Sequence, residues 1–136
     1  MDEYNAYYFA AHPRARKPPI ERPIMPTLNQ ILILPRIQIA ALKAKYKEFG
    51  MWFIKHLGYE NLKLDKFEMH LHVCMPSNRR FDLDNSVGSI KVLADSFTET
   101  GFIVDDNSNN MVKLTITGEV DKSHPRTEII INTIEE

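Results

Sequence analysis

Phe67-Glu68-Met69-His70-Leu71-His72-Val73 alternates apolar with polar side chains, and its reading decides the fold. A period of two puts Phe67, Met69, Leu71 and Val73 on one face, so residues 66–75 are expected to form a strand lying on a core. Pro76-Ser77-Asn78 ends it. Downstream, Val87, Ile90, Leu93, Ala94 and Phe97 recur at helical spacing and Gly101 follows, which predicts a helix over about 86–100. Phe102-Ile103-Val104 predicts a short buried strand. Residues 111–120 and 126–134 are strand-like, and the polar link Asp121-Lys122-Ser123-His124-Pro125 suggests that they form an antiparallel hairpin. Upstream, Ile39, Leu42, Tyr46, Phe49, Phe53 and Leu57 define the buried face of a long helix over about 35–57, with Gly58 as its stop. The expectation is one α/β (α+β) domain over 26–136, a small mixed sheet packed with about two main helices. Residues 1–25 are expected to be a flexible or extended arm, or an edge strand around 20–24, because the prolines of His12-Pro13-Arg14-Ala15-Arg16-Lys17-Pro18-Pro19 oppose a helix or a central strand.

The chain has 136 residues and a single cysteine, Cys74, which excludes an internal disulfide framework and a cysteine-rich zinc site. No apolar run approaches a membrane span and no signal-peptide pattern opens the chain, so a cytoplasmic location and no membrane partner are expected. A net charge of −1 argues against a uniformly basic nucleic-acid binder, but the charge is unevenly distributed. Between Arg14 and Arg22 lie four basic residues and one acid, and between Arg36 and Lys47 four more with no acid. Between Asp82 and Asp106 lie six acids and one lysine. A basic surface around an acidic, cation-filled centre fits that polarity, and so do separate solvated faces.

The acidic stretch carries the chemistry. Arg79-Arg80-Phe81-Asp82-Leu83-Asp84-Asn85 precedes the second helix and Asp105-Asp106 follows it. Hard divalent cations take oxygen ligands, and Mg²⁺ usually takes one or two carboxylates with waters and substrate phosphates. In an extended segment Asp82 and Asp84 point to one side. Asp84 is equally a helix cap, and Asp105-Asp106-Asn107-Ser108-Asn109-Asn110 equally a polar turn. A calcium loop does not fit: a register from Asp82 puts Val87 at the glycine position and Leu93 at the bidentate glutamate, and registers from Asp105 or Asp106 fail likewise. Lys91 lies two helical turns beyond Asp84, on nearly the same face of a continuous helix, where its alternative partner is Asp95. Gly88, on that face, leaves room for a sugar-phosphate backbone. Arg36, Lys43 and Lys47 line one flank of the first helix, as a phosphate-tracking stripe or as a solvated edge. His70 and His72 are a weaker zinc pair on the polar strand face, Cys74 reads as a small buried residue, and Trp52 and Phe53 read as core or dimer contacts.

Asp82-Leu83-Asp84-Asn85, a helix bearing a lysine, Gly101-Phe102-Ile103-Val104-Asp105-Asp106 and a following strand pair resemble the RusA-type Holliday junction resolvases, chiefly those of phage and prophage. The likeness is clearest over 79–120 and extends more faintly to Pro26-Thr27-Leu28-Asn29-Gln30-Ile31, Arg36, Ala41 and Lys45. It implies a RusA-like fold and a homodimeric, structure-specific endodeoxyribonuclease that resolves four-way DNA junctions by paired nicks, acting in a bacterial or phage-infected cell. It further implies Asp82, Asp84 and Asp106 as ligands of Mg²⁺ (or Mn²⁺), Lys91 as the catalytic lysine and Asp105 as a supporting acid. Arg36, Lys43, Lys47, Arg79 and Arg80 would meet DNA. The chain departs from some members in having Gly88 where their lysine stands and Phe81 where they have arginine. Those departures leave room for a branched-DNA-binding protein of the same fold with weak or absent cleavage. A metal-stabilised interaction module is the third class.

Overall fold

A computed structural model describes residues 2–16, 18, 20, 25, 28–78 and 83–134. The elements run in the order α1 (Asp2–Ala11), α2 (Leu28–Leu32), α3 (Arg36–Leu57), β1 (Phe67–Met75), a 3₁₀ helix (Leu83–Val87), α4 (Gly88–Glu99), β2 (Met111–Val120) and β3 (Arg126–Thr133). No helix among the described residues is long and apolar enough to cross a membrane.

The alternation in β1 is realised as expected: Phe67, Met69, Leu71 and Val73 are all buried. Phe67 and Met69 join a core with Tyr46, Phe49 and Ile54 of α3 and Val92, Leu93 and Phe97 of α4. The sheet is small and mixed, but the expected hairpin is not formed. The strand order is β2-β1-β3, with β1 parallel to β2 and antiparallel to β3. The crossover through α4 returns the chain beside β1 in the same direction. The link 121–125 then carries it over the end of β1, where Asp121 N donates to Met75 O at 2.9 Å. β1 is the most buried strand, so it takes the centre and the two half-exposed strands take the edges. Residues 102–104 form no strand either. Only a single parallel bridge joins Ile103 to Leu64, and Val104 is exposed.

α3 ends where the sequence places its stop. Gly58 adopts φ 78°, and the Gly58 and Tyr59 amides donate to Lys55 O and Ile54 O, closing the last turn. Its buried face is turned from the expected one: Tyr46, Phe49, Gly50 and Ile54 are inside, whereas Phe53 and Leu57 are exposed. The cause is the close approach of α4. A Cβ on Gly50 would overlap Ser96 Oγ, so only glycine lets the helices meet there. Within residues 1–25, expected to be a flexible or extended arm, Asp2–Ala11 form α1. Tyr4 is buried with its ring 5.1 Å from Phe49 and 5.4 Å from Trp52, and Asn5 exchanges two hydrogen bonds with the backbone of Ile20. The prolines that oppose helix all lie beyond residue 11, so α1 escapes them.

Candidate metal centre

The chain enters the acidic region through the 3₁₀ helix, which packs against α2 and β2 and bears Asp84 in its first turn, exposed. Asp82, Arg79 and Arg80 lie outside the described residues. α4 proper begins at Gly88, after Val87, which provides no side-chain cap. Gly88 is buried at this start, not open on a mid-helix face. The tighter 3₁₀ segment changes the phase between Asp84 and Lys91. Four residues at about 120° each, in place of about 100°, turn Lys91 roughly 80° from where a continuous α-helix would set it. Lys91 is exposed on α4.

After α4 the chain forms a hydrogen-bonded turn. Asp105 Oδ1 accepts from the Asp106 amide at 2.7 Å, and its Oδ2 accepts from Asn107 Nδ2 at 3.1 Å. Asn107 Oδ1 accepts from the Asn109 amide, and the buried Asn110 amide group donates to both the backbone and the carboxylate of Asp65. Asp105 therefore shapes the turn, while Asp106 is exposed beside it. Partial burial is the largest cause lifting the Asp106 carboxyl above its ordinary range. A hydrogen bond with Asp105 and the charges of Asp105 and Asp95 add to it. Asp95 of α4, a residue whose spacing in the sequence marks it only as a partner for Lys91, adds its charge to that of Asp105 at Asp106, but among the described residues these carboxylates do not bring three oxygens within 4.8 Å of one another. Asp84 and Asp95 lie roughly 18 Å apart along the helical segment by helical rise.

A hard divalent cation at Asp106 would offset the charges of Asp105 and Asp95 that add to its shift. Of the basic stripe, Arg36 and Lys43 are exposed, but Lys47 is half-buried and paired with Glu99 at the end of α4. That pairing holds the Lys47 ammonium above its ordinary range. Lys47 is therefore neutralised within the fold.

A second constellation is not evident from the sequence as a unit. On the polar face of β1, His72 and Cys74 meet Glu119 of β2, with one ligand atom from each lying within 4.8 Å of the others. The sequence places His70 and His72 on that face. Glu119 joins them only through the parallel register that sets Cys74 beside Glu119 and His72 beside Thr117. A scan against protein-family models gives no match, and a search of curated proteins gives none.

Proposed function

We propose that this protein is a metal-dependent endonuclease acting on branched DNA, of the kind that resolves four-way junctions by paired nicks as a homodimer. The observation that carries the reading is the sequence pattern, Asp82-Leu83-Asp84-Asn85 and Asp105-Asp106 flanking one lysine-bearing helix; beside it, Asp106 lies next to a turn that Asp105 holds in shape. Asp106 would hold Mg²⁺ or Mn²⁺; Asp84, with Asp82, enters the ligand set through the resemblance alone, since the helical segment sets Asp84 far from Asp95. When bound, the cation supplies charge stabilisation at the scissile phosphate and lowers the pKa of an attacking water. The chain's own part is to fix the carboxylates and to bring positive charge to the phosphates. Asp105 orients the turn, Lys91 supports the developing charge, and the exposed Arg36 and Lys43 follow the backbone, with Arg79 and Arg80 in the same role. A two-fold dimer would present two such centres to a symmetric junction.

A synthetic four-way junction with Mg²⁺ tests the assignment. Nicking by the wild type and its loss in both Asp84→Asn and Asp106→Asn are expected, and undiminished nicking in either variant would sink the ligand set. A second reading, a junction-binding protein without cleavage, is favoured by the 3₁₀ turn that rotates Lys91 away from Asp84. Salt-sensitive junction binding with intact strands in Mg²⁺ and in Mn²⁺ would select it.

A further inference from the structure

We infer that His72, Cys74 and Glu119 form a binding site for a borderline-soft transition-metal ion, Zn²⁺ first, that ties β1 to β2 independently of the acidic centre. The donor set is a nitrogen, a sulfur and an oxygen, the kinds zinc combines in tetrahedral sites, with water left to complete the fourth position. Neighbouring strands supply it: Cys74 Sγ lies 3.5 Å from Glu119 Oε1, and His72 Nε2 lies 3.6 Å from the same oxygen. Small side-chain adjustments about that common point bring all three to bonding distance, without a change of strand register.

The imidazole is oriented by a partner beyond the ligand set. His72 Nδ1 and His70 Nε2 both lie 2.6 Å from Thr117 Oγ1. One hydroxyl has a single proton, so at least one imidazole must donate to it. With His72 Nδ1–H donating and the Thr117 hydroxyl turned to His70 Nε2, all three groups are satisfied. His72 Nε2 then carries its lone pair toward Glu119. This is how ligating histidines are held, with the far nitrogen donating to an oxygen that sets the tautomer.

The charges around the site permit a cation. Among the described residues Arg126 is a nearby positive group, and it is already held by Asp121 Oδ2 at 2.7 Å and Glu128 Oε1 at 2.8 Å. Cys74 Sγ donates its thiol proton to Glu119 Oε1, and burial, followed by that hydrogen bond, pushes the thiol up. As the sulfur–metal bond forms, that proton passes to solvent. Cys74 is fully buried and His72 and Glu119 are partly open, so an ion would enter from the Glu119 side.

The test is titration of metal-stripped full-length protein with Co²⁺, without DNA or Mg²⁺, so that its outcome does not depend on the nuclease reading. One equivalent should produce the near-ultraviolet thiolate-to-cobalt absorption, and Zn²⁺ should displace it. Cys74→Ser should abolish that band. Glu119→Gln, on an exposed edge-strand side chain, should weaken binding, and Thr117→Val should weaken it by about 10–100-fold because His72 is no longer oriented. Circular dichroism establishes that each variant is folded. No thiolate band in the wild type, or the same affinity in wild type, Glu119→Gln and Thr117→Val, would overturn the site.

Discussion

On the two proposed readings, the acidic end of the molecule and the polar face of its sheet would attract metal for opposite reasons. Around Asp106 the donors would all be carboxylates, and Asp106 itself is raised in proton affinity by burial and by the neighbouring Asp105 and Asp95. Around His72 the donors are mixed, half-buried and already oriented through Thr117. Charge drives the first and geometry the second. The first should therefore hold a hard, exchangeable ion that can share its shell with phosphate, and the second a tighter, softer one. The contrast teaches that a row of aspartates in a sequence signals charge, whereas a prepared site needs the strand register.

The largest effect should come from the charge-driven region. Asp106→Asn is expected to lower junction nicking by about 10²–10³-fold, the scale of removing one charge-stabilising group from an active site. Cleavage rates at saturating Mg²⁺ measure it, and a rate close to that of the wild type would place the metal elsewhere. Next, Gly50→Ala strikes the frame shared by both regions. With Ser96 Oγ in the space of the new Cβ, α3 and α4 must part, at a cost of about 1–3 kcal/mol in denaturant unfolding. An unchanged midpoint would show that the two helices are not so closely packed.

Acid titration separates carboxylates of opposite character. Asp121 accepts from Arg126, Ser123 and the His124 amide, which lower its pKa from 3.8 to about 2. Its contribution to stability is complete above its unfolded pKa and is lost as pH falls from there through about 2. Asp106 has the reverse sign. Its raised pKa means the folded chain binds that proton more tightly, so stability falls as pH rises out of the acid range. Asp121→Asn should flatten the acid-side loss, whereas Asp106→Asn should raise stability near neutrality. The same pH profile in both variants would contradict the distinction. The smallest effect concerns DNA affinity. Lys43→Ala should reduce the salt slope of junction binding by about one unit for the phosphate it no longer neutralises, and Lys47→Ala by less, because Glu99 already neutralises that lysine. Equal slopes for the two variants would remove Lys43 from the DNA path.

The sequence made local structure readable wherever one periodic face met one core. β1 and both ends of α3 follow from alternation and from Gly58. Pairing was not readable, because 111–120 and 126–134 look like hairpin partners until the burial of β1 claims the centre of the sheet. The turn of α3's buried face was hidden in Gly50, whose missing side chain has no hydrophobic signal but sets how closely the helices approach. The acidic residues were visible as a group. What was not visible is that a 3₁₀ segment changes the phase between Asp84 and Lys91, or that Glu99 of α4 takes up Lys47. Glu119 shows no sign of its role until it lies next to Cys74.

The central claim, that hard-metal chemistry at the aspartates cuts branched DNA, is tested most directly on a fixed four-way junction with end-labelled strands. Purified protein with Mg²⁺ should place paired, symmetry-related nicks that disappear when the metal is chelated, and should leave a linear duplex of the same sequence intact. Equal cutting of junction and duplex, or nicking that persists in chelator, would contradict the account.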